Sequence, residues 1–434
     1  MKLNYKRTIF IGFAFMAISS FWQMYDTIIP LILKYTFSLG ETMSGIIMAA
    51  DNVLALFLLP VFGVWSDRCT SKYGRRSPFI YVGTILSVIF LILLSVADAP
   101  GKLPLFVGLL LMLLLSMNLY RSPAVALMPD LTPPPLRSKG NAVINLMGAV
   151  GFIYALVMVK IFGGKAEERP SYLALFITIA ALMILSLIVL ALTIRENRML
   201  EAVKKECADY GISMSPENTA DKPEDSAKKS SLPAPVKKSL IMILLSVALW
   251  YIAYNAVTTA FSRYATELWK LDSDYVNCLL IASVAAVISY FPIGILSEKL
   301  GRKKVVLIGV IAMFLSYASL FCYTSYHFTA VCFFALIGFG WAAINVNSLP
   351  MVVDMCEAAD VGKFTGYYYT FSMTAQVITP IASGALLEYV SYRTLFPYSA
   401  FFMLCAFVTM QFVRHGDCKP GEKKSFLEHF DVGD

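Results

Sequence analysis

Three ionisable side chains stand inside stretches that are otherwise apolar: Asp26, Asp51 and Arg121. Placing such a charge in hydrocarbon costs roughly 2.5–3.5 kcal/mol on insertion scales, so a sequence keeps it for a partner or a function. A carboxyl withdrawn from water binds a proton more readily than one at a surface, which makes Asp26 and Asp51 the candidate proton carriers. Around them, neutral polar groups recur at helical spacing beside aromatic rings. Tyr251, Asn255, Thr258 and Ser262 form one stripe, Trp341, Asn345 and Ser348 a second, and Tyr368, Ser372, Gln376 and Thr379 a third. With Gln23, Tyr25, Asn118, Arg121 and Asn145 these supply a candidate substrate-binding set: Gln23, Tyr25, Asn118, Arg121, Asn145, Tyr251, Asn255, Trp341, Asn345, Tyr368 and Gln376. Amides and hydroxyls next to rings suit a sugar, whose hydroxyls need hydrogen bonds and whose C–H faces stack on Trp or Tyr.

Such residues need long helices to hold them at depth. The chain has 434 residues, 58% hydrophobic and 15% charged, with a mean hydropathy of +0.67, well outside the range of soluble domains. Apolar runs at about 8–33, 43–65, 78–97, 103–129, 141–163, 171–194, 239–262, 275–297, 304–323, 327–353, 364–388 and 394–413 each approach or exceed the ~20 residues that cross a bilayer. Lys2, Lys6 and Arg7 precede a first run too long for a signal-peptide core, so it is expected to be retained as a span. Alternating the loops between the two sides puts most of the 36 lysines and arginines on one side, which predicts cytoplasmic termini in a multi-pass protein of the cell membrane. The basicity is therefore topological, and no nucleic-acid partner is expected. On this topology Asp26 and Asp51 lie at about one depth, roughly 11–12 Å from the outer ends of the first two spans at 1.5 Å per residue.

Between the second and third spans lies Gly63-Val64-Trp65-Ser66-Asp67-Arg68-Cys69-Thr70-Ser71-Lys72-Tyr73-Gly74-Arg75-Arg76-Ser77-Pro78, a basic turn between apolar runs. The Asp67 carboxylate can pair with an arginine or cap a helix N-terminus there. This wording resembles the cytoplasmic loop signature of major facilitator transporters, in the longer form of the plant and animal sucrose-transporter family. A second run, Asn118-Leu119-Tyr120-Arg121-Ser122-Pro123 through Pro129-Asp130-Leu131, is similar to the fourth-helix signature of that family. There the arginine follows the proline by two positions, where this chain has Val125, and Arg121 stands one turn earlier on the same face. The plant proteins also carry an intramembrane aspartate, implicated in proton coupling, where this chain has Leu114. If protons drive transport here, Asp26 or Asp51 must carry them.

The two halves of the chain read as a repeat. Tyr25-Asp26 recurs as Tyr254-Asn255, Gly63 with Asp67 as Gly294 with Glu298, the basic turn as Gly301-Arg302-Lys303-Lys304, and Asp130 as Asp354. The expected fold is all-α, twelve membrane helices in two pseudo-symmetric six-helix bundles, and the resemblance implies the major facilitator fold. The expected divisions are 1–198 (first bundle), 199–238 (cytoplasmic linker), 239–416 (second bundle) and 417–434 (cytoplasmic tail). Met199, Leu200, Val203 and Cys207 predict a short amphipathic helix at the start of the linker, and its Ser- and Pro-rich remainder, from Ser213 to Lys238, is expected to be flexible. Gly63, Asp67, Arg68, Gly74, Arg75, Arg76, Asp130, Glu298, Arg302 and Asp354 form a candidate conformational latch. Lys34, Lys160 and Arg263, near span ends, are expected to reach the headgroups, and Glu267 and Glu388 to be surface groups.

No GxxxxGK[ST] or HExxH is present, and the eight cysteines have no CxxC spacing, so no enzyme, metal site or cofactor is expected. The combined expectation is a monomeric secondary transporter in the lipid bilayer, moving a sugar, a disaccharide or glycoside, together with a proton. The alternatives are a sodium-coupled glycoside symporter and an exporter of amphipathic molecules.

Overall fold

Helix length and apolar composition organise the chain, seen in a computed structural model that describes residues 3–165, 168, 170–209, 233–355 and 361–417. Thirteen α-helices run in the order α1 (Tyr5–Tyr35), α2 (Glu41–Asp67), α3 (Ser77–Ala97), α4 (Leu103–Asp130), α5 (Arg137–Phe162), α6 (Leu173–Thr193), α7 (Glu196–Asp209), α8 (Ala234–Leu268), α9 (Val276–Leu300), α10 (Arg302–Phe321), α11 (Ala330–Val353), α12 (Val361–Tyr389) and α13 (Leu395–Gln411). Among the described residues, twelve helical segments are long and apolar enough to cross a membrane. The short amphipathic helix is α7, which buries Val203 and Cys207 and packs Met199 and Leu200 against the core. The seventh span begins earlier than its hydropathy indicated, at Ala234, so the end of the expected flexible stretch is helical. Residues 213–232 and 418–434, with Cys356 and Cys418, lie outside the described residues.

The repeat is visible in the packing. Within the first half α1 packs on α5 and α6, α2 on α4, and α3 on α4 and α6; within the second, α8 packs on α12 and α13, α9 on α11, and α10 on α11 and α13. The halves meet through α2 against α12, the related pair α5 against α9, and α1 against α8. Each half's first helix even ends alike, with a non-glycine residue in the left-handed region, Ser38 at φ 53° and Lys270 at φ 52°. Both ends are closed by a bond from the amide one residue further on, Leu39 to the Leu33 carbonyl and Leu271 to the Ala265 carbonyl.

Close approach of the halves depends on missing side chains. A Cβ on Gly45 of α2 would lie 2.1 Å from the Pro380 carbonyl oxygen of α12, and one on Gly384 would lie 2.5 Å from the Glu41 oxygen. These contacts lie toward the end of α2 remote from the chain termini. Toward the other end, α2 exposes Phe57, Val64 and Trp65 and α12 exposes Tyr367 and Phe371.

Candidate functional site

Between the halves lies a cavity of about 380 Å³ that adjoins a second of about 200 Å³. Asp26, Phe152, Asn255 and Gln376 line both. The smaller is walled also by Trp22, Asp51, Asn52, Arg121, Thr259 and Pro380. Thus α1, α2 and α4 bring Asp26, Asp51 and Arg121 to one chamber. The Asn52 amide donates to Asp51 Oδ1 at 2.8 Å, and the Arg121 guanidinium lies 5.9 Å from the centre of the Trp22 ring. Neither Asp26 nor Arg121 has an ion pair or side-chain hydrogen bond within the described residues, so both present unused valence to the chamber.

The larger cavity is walled by Gln23, Asn145, Tyr251, Asn255, Trp341, Asn345 and Gln376 of the expected set. Three members of that set are elsewhere. Asn118 is fully buried and its amide donates back to the Leu114 carbonyl at 2.9 Å. Tyr25 is buried among Phe21 and Trp22. Tyr368 is buried with its hydroxyl 2.9 Å from that of Ser348, behind Tyr251. Sequence reasoning missed Ser19, Asn52, Tyr254, Ser283 and Tyr290. Tyr254 stacks on Trp341 with centroids 3.7 Å apart and planes 3° from parallel, and Tyr251 meets Trp341 edge-on at 5.3 Å.

The face remote from the termini is closed by charges. Lys34 of α1 pairs with Glu267 of α8 at 2.7 Å and with Glu41 of α2 at 3.4 Å, and Arg263 of α8 pairs with Glu41. Tyr392 donates to Glu41, Tyr35 donates to Glu267 at 2.7 Å, and the Thr42 amide donates to Glu388 at 2.7 Å. Glu388 thereby caps α2 from the opposite half. The expectation that Lys34 and Arg263 reach headgroups and that Glu267 is a surface group is corrected: Lys34 pairs with Glu267 across the halves, and Arg263 and Glu41 are only 2% and 4% exposed, because each neutralises the other across the interface, whereas Glu388 is exposed as expected. Lys160 also crosses, reaching Asn277 and Asp274.

At the terminus-bearing face the basic turn is tied within the first half. Arg76 pairs with Asp67 at 2.5 Å and with Asp130 at 3.0 Å, and Arg75 with Asp130 at 2.7 Å. Arg76 also donates to the Gly63 carbonyl at 3.3 Å. Arg68 is exposed, and this network runs through Arg75 and Arg76 rather than through it. The second half repeats the device as Arg302 with Asp354, whose carboxyl is raised above its ordinary range by burial with Arg302 opposing. Glu298 is half-buried and interacts with a neighbour.

The cap on α3 is Glu196, not Asp67. Its carboxylate accepts the Arg75, Arg76 and Ser77 amides at 2.9–3.1 Å and the Ser77 hydroxyl at 2.7 Å. Gly74 is required there: its φ is +116°, and a Cβ would lie 2.2 Å from Glu196. In the second half Asp417 takes the corresponding position, accepting the Lys303 amide at the start of α10 at 2.8 Å. An acid just after the last helix of each half was the signal that could have revealed both.

Two related six-helix halves enclosing a polar chamber, closed at one face, make up the major facilitator fold. Residues 10–399 match the family described as MFS/sugar transport protein, and the chain belongs to that family. A sucrose transport protein of Arabidopsis thaliana is 33% identical over 146 residues, 29% of this chain and 25% of the relative. The chain thus spans about a quarter of the length of that relative. A multi-drug resistance efflux pump PmrA homolog of Lactococcus lactis is 23% identical over 90% of this chain and 91% of its own. The crystal structure of the nucleoside transporter NupG superposes with a TM-score of 0.67 at 14% identity, covering 94% of this chain and all of that one. These proteins are transporters, not enzymes.

Proposed function

We propose that this protein is a secondary active transporter that moves a sugar with a proton across the cell membrane by alternating access, as a single chain with both termini in the cytoplasm. The observation that carries this reading is the pair Asp26 and Arg121, each without an ion pair in the described residues, on one chamber between the halves. An acid in that position binds a proton, and an arginine beside amides and aromatic rings engages hydroxyls. The charge network that ties α1, α2 and α8 at the far face supports a state closed on that side, from which the opposite side would open. Protonation of Asp26 or Asp51 removes a buried charge as the sugar binds, and the loaded halves then rock about the ties at Asp67, Arg75, Arg76 and Asp130 and at Arg302 and Asp354.

The test is sugar uptake into proteoliposomes with an imposed pH gradient and no sodium. Accumulation that Asp26→Asn or Asp51→Asn abolishes, while exchange persists, supports proton symport. Accumulation that requires a sodium gradient at constant pH would transfer the coupling to sodium. The largely apolar, aromatic wall of the larger cavity, together with the efflux-pump relative, favours a second reading as an exporter of amphipathic compounds. Transport of a hydrophobic cation, with no sugar uptake, would establish it.

A further inference from the structure

Arg121 shares the smaller chamber with Asp26 and Asp51, and among the described residues these three are the charged groups on its wall. An arginine beside two acids in a space enclosed by protein is ordinarily drawn into an ion pair, because the attraction is little screened there. Within the described residues Arg121 makes none. Asp51 takes the Asn52 amide at 2.8 Å, and the guanidinium lies 5.9 Å from the centre of the Trp22 ring. Trp22 and Asp26 stand one turn apart on α1, a spacing that sets Cβ atoms about 5–6 Å apart, so ring and carboxylate are rival destinations for the same side chain.

The indole is held firmly in that position. It meets Phe21 edge-on with centroids 5.1 Å apart and Tyr25 edge-on at 5.5 Å, and both of those rings are buried in the core. Its Nε1–H is buried without a hydrogen-bond partner in the described residues, whereas a buried indole ordinarily uses that group. Packing and the neighbouring cation therefore place the ring, and its polar edge does not.

We infer that Trp22 is a positioning residue whose ring holds the Arg121 guanidinium off Asp26 and Asp51. The inference rests on the reading of the protein as a proton-coupled sugar transporter. An acid paired with Arg121 stays ionised and takes up no proton, and an arginine committed to a carboxylate must break that pair before it donates to a hydroxyl. Attraction to a ring face competes with the carboxylates and ties up neither acid. Trp22 thus keeps the proton site and the arginine separately available in one chamber.

The experiment is labelling of the purified full-length protein, without sugar, by dicyclohexylcarbodiimide, which reacts with protonated carboxyl groups in apolar surroundings. Mass spectrometry of the digested protein reads the rate at Asp26 and at Asp51. In Trp22→Leu the guanidinium moves onto a carboxylate, and labelling of at least one of the two acids at neutral pH should slow about tenfold, the scale of a desolvated cation–π contact. Trp22→Phe, which keeps a ring, should retain most of the original rate. Trp22→Leu combined with Arg121→Gln should label no more slowly than Arg121→Gln alone, since a purely structural part for Trp22 would slow labelling whether or not the arginine is present. Trp22→Met serves the same comparison if the leucine variant does not fold. A rate that is not lowered in Trp22→Leu, is lowered as much in Trp22→Phe, or is lowered equally without Arg121 overturns the inference and leaves proton-coupled sugar transport standing. Failure to label either acid in the unsubstituted protein overturns the inference together with the assignment of the proton to Asp26 and Asp51.

Discussion

Replacing Glu41 by Gln should shift the protein away from the state with a closed far face. Arg263 is 2% exposed, and Glu41 is the acid that pairs with it across the halves. The other cation of the cluster, Lys34, also reaches this carboxylate but keeps Glu267 at 2.7 Å, so Arg263 is the group that Glu41→Gln leaves unpaired. Removing one partner of a buried pair leaves an uncompensated charge and costs about 3–5 kcal/mol. Opening the far face returns Arg263 to water, so most of that cost falls on the closed state alone. At 1.4 kcal/mol per tenfold change, the closed-to-open ratio should fall by roughly two to three powers of ten. Spin labels on the far-face ends of α2 and α12, read by pulsed electron resonance, would report the shift as a longer distance component. The double variant Glu41→Gln with Arg263→Gln removes both charges and should recover much of the closed population. An unchanged distance distribution in Glu41→Gln, or a double variant shifted as far as the single, would refute the reasoning.

Gly45→Val should produce a similar opening by sterics, since any Cβ there meets the Pro380 carbonyl; protection of a far-face cysteine from a water-soluble thiol reagent would be lost. Glu196→Gln removes the charged acceptor from three α3 amides and should lower stability by about 1–3 kcal/mol, read as a lower Tm in detergent. Burial pushes the Asp98 carboxyl above its ordinary range, with Thr36 opposing more weakly. Such a group favours the fold most when protonated, and its contribution is lost as pH rises through the folded pKa. Asp98→Asn should therefore raise the Tm at neutral pH and flatten its fall between acid and neutral pH.

How much of this was legible in the sequence depended on whether a residue contradicted its surroundings. Asp26, Asp51 and Arg121 stand out because each is a charge in an apolar run, and the structure puts all three on one chamber. Asn118 and Tyr25 have the right chemistry, but helical spacing fixes only the angle between residues, not which face turns inward, and both face the packed core. Lys34, Arg263, Glu267 and Glu388 looked ordinary because charges near span ends usually meet water. Their partners lie in the other half of the chain, where no local pattern points. Glu196 and Asp417 were hidden for the same reason, since each caps a helix that precedes it by a long stretch of chain. The repeat landmarks fared differently: Asp130 with Asp354, and Arg75 and Arg76 with Arg302, form matching ion pairs, because the two halves share one packing scheme.

The central claim is that a proton moves with the sugar through the chamber holding Asp26 and Asp51. Its most direct measurement is the charge moved when sugar is added to proteoliposomes on a solid-supported membrane, in sodium-free buffer and without a pre-set gradient. A neutral sugar accompanied by a proton should give a transient current, absent when both Asp26→Asn and Asp51→Asn are introduced into a protein that still binds sugar. Sugar transport without that current, or a current undiminished in the double variant, would contradict it.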